Sequence, residues 1–224
     1  GLSADVCQSD VTGLVAATWE VVREGHSVLI FCSSKVKCER LATHLSDVLP
    51  VAEHEAMVAV SRAALVTQAQ QQVCGVDAGL IKALARGIAF HHSGLTTEER
   101  ALIEGGYRKG SLMVICATST LAAGVNLPAR RVIFQTPYMG RELLNATQYR
   151  QMAGRAGRAG QGSFGESMLI APAAMKRQCF ALVTQALPRI ESRLRNEDRG
   201  LKRLVLEILS VTSLGTGTEL IHFC

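Results

Sequence analysis

Apolar positions along this chain fall into two alternating rhythms. Val11, Leu14, Val15, Thr18, Val21 and Val22 are spaced three and four apart, the period of a helix with one buried face, and Gly25 follows as a stop. Val28–Cys32 is then continuously apolar, which predicts a strand covered on both faces. Helical spacing returns at Cys38, Leu41, Ala42, Leu45 and Val48 and ends at Pro50. Residues 51–86 are rich in Ala, Gln and Val without a strand signal, and predict one or two helices and a loop. Gly87–Phe90 predicts a short strand. Thr96 and Glu99 then have the spacing of a capping box, with acids in the first turn of a helix. Leu112–Ala117, Arg131–Gln135 and Ser167–Ile170 predict three further strands. Strands alternating with helices, apolar on both faces, imply an α/β fold with a parallel sheet flanked by helices.

The pattern changes after Pro172. Phe180, Val183 and Leu187, then Leu201, Leu204, Val205, Ile208 and Leu209, show helical spacing only. The expected division is therefore 1–172 for the α/β domain and 173–224 for a helical segment. Thr216 with Glu219 opens one more helix five residues before the last residue, so the chain is expected to be part of a longer protein.

Composition narrows the class. The 224 residues suffice for one domain with an appendage, or two small ones. Runs such as Val28–Cys32 are too short to cross a bilayer, so no membrane association is expected. Gly1–Asp10 is polar, without the basic-then-apolar order of a secretory leader. A net charge of +5 favours an anionic partner without choosing which. The seven cysteines form no CxxC or Cys/His ligand pattern, which argues against zinc and for a reducing compartment, with Cys32 and Cys116 as buried thiols. His91 and His92 are neighbours and point apart on a strand or turn, which disfavours a shared metal.

Candidate chemistry follows the strands, because ligands of such sheets sit at strand carboxyl ends. Ser33-Ser34-Lys35 offers two hydroxyls and an ammonium at a helix start, a phosphate grip or an ordinary Ser N-cap. His91-His92-Ser93-Gly94-Leu95 is a polar loop that admits a nucleic-acid backbone, or a plain turn. Thr118-Ser119-Thr120 opens a small-residue turn ending in Gly124 and Asn126, able to hold phosphates and a ribose, or forms a capped short helix before Pro128. The most informative stretch is Gln151-Met-Ala-Gly-Arg155-Ala-Gly-Arg158. On a helix, Gln151, Arg155 and Arg158 would share a face and present one amide and two guanidinium forks. Such groups suit the charge on a transferring phosphoryl group. A solvated basic helix end is the alternative.

Four blocks in this order resemble the second RecA-like lobe of superfamily 2 nucleic-acid helicases, over roughly residues 10–172. They are VLIFCSSKVKCERLA from Val28, FHHSGL from Phe90, ATSTLAAGVNLPAR from Ala117 and QYRQMAGRAGRAG from Gln148. The wording of the last two is closest to DNA-repair helicases of this superfamily. The resemblance implies a RecA-like lobe followed by the start of a winged-helix domain. It implies Arg158 as arginine finger on the γ-phosphate of ATP, with Arg155 as its companion. Gln151 would contact that phosphate or position the attacking water, and Gly124 and Asn126 would face the nucleotide. Ser33, Ser34, Lys35, His92, Gly94, Thr118 and Thr120 would line the tracking strand. The segment Phe134–Thr147 would form a hairpin that splits the duplex, with Pro137, Tyr138 and Met139 near its start. Tyr138 would stack on a base, or pack as a core tyrosine. The implied partners are single-stranded or forked DNA and an upstream RecA-like lobe, the implied polarity 3′–5′, and the implied location the nucleus.

A helicase also needs a GxxxxGK[ST] phosphate cradle and an acidic pair for Mg²⁺. No Gly precedes a Lys here, and no Asp precedes a Glu. Both motifs, and with them the Mg²⁺ that accompanies ATP, are expected in the upstream lobe, so this chain alone is expected not to hydrolyse ATP. An RNA helicase lobe of a sister family and an inert helicase-like scaffold remain alternative readings. A stand-alone phosphotransferase is disfavoured by the same absent phosphate loop.

Overall fold

A computed structural model of the chain describes residues 2–51, 55–71, 75–157 and 164–186, together with Lys202, Arg203, Leu206, Glu207 and Ser210. The chain divides into two units, Gly1–Gln185 and Ala186–Cys224.

In the first unit, α1 (Ala4–Ser9) and α2 (Leu14–Val22) lead into β1 (Val28–Phe31), followed by α3 (Lys35–Val48), α4 (Glu55–Gln70) and α5 (Ala78–Ala85). Then come β2 (Ile88–His91), α6 (Thr97–Arg108), β3 (Val114–Ala117), α7 (Thr120–Gly124) and β4 (Arg131–Phe134). A two-stranded hairpin, β5 (Tyr138–Met139) and β6 (Glu142–Leu143), precedes α8 (Ala146–Ala153), β7 (Glu166–Leu169), a 3₁₀ turn at Ala173–Met175 and α9 (Lys176–Thr184). Five strands form one parallel sheet in the order β2-β3-β1-β4-β7. The expected parallel α/β architecture is therefore present. Strand ends lie within a residue or two of the pattern-based limits, and His91 joins β2 as its last residue.

The continuous apolar runs are strands because every residue of β1, β2, β3 and β4 is buried. Phe31, Leu29, Ile30, Ile115 and Phe134 are among the largest fully buried side chains. Each such side chain contributes about 1.5–3 kcal/mol on leaving water. β7 is the exception. Among the described residues it forms one end of the sheet and pairs with β4 alone, and Ser167 and Met168 are exposed.

One expectation about the helices is corrected. Val11 is 93% exposed and lies before α2, because Gly13 at φ +69° serves as the N-cap and starts the helix at Leu14. Phe180 and Val183 lie on a helix as expected, in α9, where both are exposed and Leu182 is the buried residue. Leu187, Leu201, Leu204, Val205, Ile208, Leu209, Thr216 and Glu219 lie outside the described residues. In the second unit Arg203 pairs with Glu207 one helical turn on, at 2.9 Å.

Candidate nucleic-acid and nucleotide interface

The sheet register sets the site. Phe31 is level with Ala117 and Phe134, Ala117 with His91, and Phe134 with Leu169. The residues that follow therefore emerge in one row at the carboxyl edge. This row brings together the Ser33–Lys35 loop after β1, the His92–Gly94 loop after β2 and the Thr118–Thr120 turn after β3.

Within the row, Ser34 caps α3 by accepting from the Lys37 N–H at 3.3 Å, and Lys35 is exposed at the helix start. Ser33 is nearly buried, and its Oγ accepts from Lys37 Nζ at 2.9 Å. Lys37 is thus a cation of this loop that pattern reading missed, although its spacing of four from Ser33 on a helix start could have suggested it. Thr118 and Thr120 hydroxyls share a hydrogen bond of 2.9 Å on the surface.

His92 is buried, with both ring nitrogens engaged. Its Nδ1 accepts from the Gly94 N–H at 3.1 Å, so Nε2 carries the proton and donates to Glu39 Oε1 at 3.0 Å. The ring stacks on Phe90 with centroids 5.5 Å apart. Of this loop, Ser93 and Gly94 are the residues on the surface. His91 turns to a different helix and donates from Nε2 to Glu104 Oε1 at 3.2 Å, so the two rings share no ligand geometry. Burial holds the His91 imidazole below its ordinary pKa, against the opposing pull of Glu104.

The segment after β4 forms the expected hairpin. Tyr138 pairs with Leu143, and Met139 with Glu142, around Gly140 at φ +63°, a left-handed conformation that favours glycine. The turn is tied to the row, since Gly140 N–H donates to Ser33 O at 2.9 Å. Tyr138 is 37% exposed, and its hydroxyl donates to Met175 Sδ at 3.5 Å. Pro137 is buried at the hairpin base, where its carbonyl accepts from Leu144.

The arginine segment departs from expectation in two ways. First, α8 ends at Ala153, so Gln151 is an exposed helical residue while Arg155 lies in the turn beyond it. Gly154 caps the helix, Gly157 takes φ +89°, and Ala156 forms a parallel bridge with Ala129. Ala129 N–H donates to Arg155 O at 2.9 Å and Gly157 N–H to Ala129 O at 2.8 Å, geometry a continuing helix cannot make. Second, Ala129 precedes β4, so Arg155 sits at the amino end of that strand rather than in the carboxyl row. There Arg155 Nη1 donates to Asn126 Oδ1 at 3.3 Å, and Nη2 to the Ala122 carbonyl of α7. Gly124 is exposed, with open space where a side chain would stand. Arg158 lies outside the described residues.

Two groups that shape the arginine segment carried no readable signal in the sequence. The Ala122 carbonyl is a backbone group. Gly165 meets the Ala156–Gly157 backbone so closely that any Cβ would overlap it. A third group, Arg131, is buried and fastens the sheet to α2. It donates to Glu166 from Nε at 2.8 Å, and to Glu20 and the Ala17 carbonyl from Nη1 at 2.7 Å each.

Residues 53–160 match the family described as helicase conserved C-terminal domain, and residues 165–224 a helix-turn-helix domain. The chain is 44% identical over 194 residues to helicase POLQ-like of Drosophila melanogaster, covering 83% of this chain and 18% of that protein. The chain belongs to the superfamily 2 helicases, as their C-terminal RecA-like lobe. It is 36% identical over 217 residues to DNA polymerase theta of Mus musculus, covering 91% of this chain and 8% of that protein. It is 41% identical over 163 residues to ATP-dependent DNA helicase Hel308 of Pyrobaculum calidifontis, covering 70% of this chain and 23% of that protein. The helicase lobe thus spans less than a quarter of each of these relatives. Among the described residues, no helix is long and apolar enough to cross a membrane, and no group of three metal-ligating side chains occurs.

Proposed function

We propose that this lobe is the second half of an ATP-dependent 3′–5′ DNA helicase motor of repair type, working in the nucleus with an upstream RecA-like lobe. The observation that carries the reading is the use of both ends of one sheet, joined by α7. Hydroxyls and a lysine line the carboxyl edge, and Arg155 with Asn126 gathers at the amino end of β4. Ser33, Ser34, Lys35, Gly94, Thr118 and Thr120 line the single strand, with His92 inside their loop. The Tyr138–Leu143 hairpin parts the duplex, with Tyr138 as the stacking residue.

The amino-end groups fit a polyphosphate. Gln151 and Asn126 are exposed, Arg155 is a fork within reach of Asn126, and Gly124 leaves room for close approach. Arg158 is the finger, and Arg155 its companion once its present partners release it. ATP with Mg²⁺ supplies the phosphoryl group whose hydrolysis drives the cycle. The metal and the phosphate cradle belong to the upstream lobe, and without that lobe the chain does not turn over ATP. Names among the relatives, such as ATP-dependent DNA helicase, support DNA over RNA as the strand.

The test is ATP hydrolysis with and without single-stranded DNA, in a protein extended upstream through the first lobe. Arg158→Ala is expected to lower the DNA-stimulated rate by on the order of 10³ or more while DNA binding persists. A variant rate equal to wild type, or no DNA stimulation in wild type, overturns the assignment.

A further inference from the structure

Lys35 and Glu39 lie four apart at the start of α3, the spacing at which opposite charges on a helix pair. They do not pair here. Among the described residues, the Lys35 ammonium has no ion pair, while Glu39 Oε1 accepts from His92 Nε2 at 3.0 Å. The imidazole that takes Glu39 cannot easily move. It is 4% exposed, stacked on Phe90 with rings 9° from parallel, and held from its other nitrogen by the Gly94 N–H. Gly94 completes the packing, since a Cβ there would stand 3.1 Å from His92 Nδ1 and 3.5 Å from Lys35 Cδ. Gly94 thus lies against both the ring and the lysine stem, and the ring occupies the carboxylate one helical turn from that lysine.

We infer that His92 is a positioning residue that sequesters Glu39, leaving the Lys35 ammonium available to a phosphate of the bound strand. This rests on the proposed reading of the carboxyl row as a nucleic-acid track. Without the imidazole, Glu39 turns back one helical turn to Lys35. The carboxylate then competes with the phosphate both as a neutralising partner and as a repelling charge. Glu39→Gln removes that competition and still offers His92 an acceptor oxygen.

The experiment is a titration of fluorescein-labelled oligo-dT with the 224-residue chain, followed by anisotropy across a salt series. One phosphate contact to a single strand is worth about 0.7 in the slope of log K against log salt, or about fivefold in affinity at 0.1 M relative to 1 M. Lys35→Ala and His92→Phe, the latter keeping an aromatic ring against Phe90, are each expected to lose about fivefold and that much slope. The pair His92→Phe/Glu39→Gln is expected to regain most of both, and Glu39→Gln alone to bind at least as well as wild type. Thermal melts are read alongside, because a purely structural loss at His92 lowers stability and is not restored by a change at Glu39. If Lys35→Ala weakens binding but His92→Phe does not, or Glu39→Gln gives no recovery, the role of His92 is overturned and the track reading stands. If Lys35→Ala binds like wild type, the phosphate grip itself falls and takes this inference with it.

Discussion

Gly165→Ala tests how firmly the arginine segment is held. A Cβ at Gly165 would overlap the Ala156 carbonyl carbon and oxygen and the Gly157 nitrogen. These are backbone atoms, so no side-chain rotation relieves the conflict. They are also pinned, because Ala129 donates to Arg155 O at 2.9 Å and accepts from Gly157 N–H at 2.8 Å. Carbon contacts are best at about 3.5–4.0 Å, so one backbone must withdraw by roughly 1 Å. That movement gives up the two hydrogen bonds at about 1 kcal/mol each, or is resisted at an overpacking cost of about 1–3 kcal/mol. The expected loss is about 2–3 kcal/mol, or roughly 4–12 °C in Tm for a unit of this size. Hydrogen exchange at the Ala129 and Gly157 amides locates the damage, and both are expected to lose protection. In the two-lobe motor proposed above the same shift would carry Arg155, and a displacement of about 1 Å near reacting groups costs on the order of 10²-fold in rate. An unchanged Tm with both amides still protected would refute the reasoning.

Two further outcomes are expected. Arg131→Met removes the donors that join β4 to Glu166, Glu20 and the Ala17 carbonyl, and is expected to lower Tm by roughly 4–8 °C, from a loss of about 2 kcal/mol. Glu20→Gln should cost less, since that carboxylate is 59% exposed, and equal losses in calorimetry would contradict the difference. His91 has a folded pKa depressed by burial, so the unfolded chain binds the extra proton. Its contribution is complete above the ordinary imidazole value near 6.5 and is lost as the pH falls toward the depressed one. The slope is at most about 1.4 kcal/mol per pH unit. Denaturant melts from pH 7.5 to 5.5 should show wild type weakening and His91→Gln staying flatter, and parallel curves would exclude His91 as the source.

The sheet was legible because its chemistry is one-dimensional. A strand covered on both faces needs an unbroken apolar run, and Val28–Phe31, Val114–Ala117 and residues 132–134 each supply one. The capping box at Thr96 and Glu99 was legible for the same reason, as a local pattern with a local partner. Gln151 and Arg155 were read as sharing one helical face, but α8 ends at Ala153 between them. The spacing is helical, but Gly154 and Gly157 permit a turn, and the bridge to Ala129, distant in sequence, takes it. The helix carrying Phe180 and Val183 was legible, but periodicity shows which residues share a side and only packing shows which side turns inward, here that of Leu182. His92 was found as a candidate, yet its partner Glu39 comes from another element, and no pattern links them.

The two edges of the site are physically one object at α7. A helix of five residues is about 7.5 Å long, too short to bend between its ends. Its first residue, Thr120, shares a hydrogen bond with Thr118 in the carboxyl row. Its third residue, Ala122, gives its carbonyl to Arg155, and Asn126 just beyond it takes the other Arg155 nitrogen. For Arg155 to reach a nucleotide it must give up both acceptors, and both belong to the segment that positions the row. Arg155 therefore cannot change partners without releasing α7, and α7 cannot shift at Thr120 without straining its bonds to Arg155. In the motor proposed for this lobe, that shared segment supplies a route from nucleotide to strand that needs no change in the sheet itself.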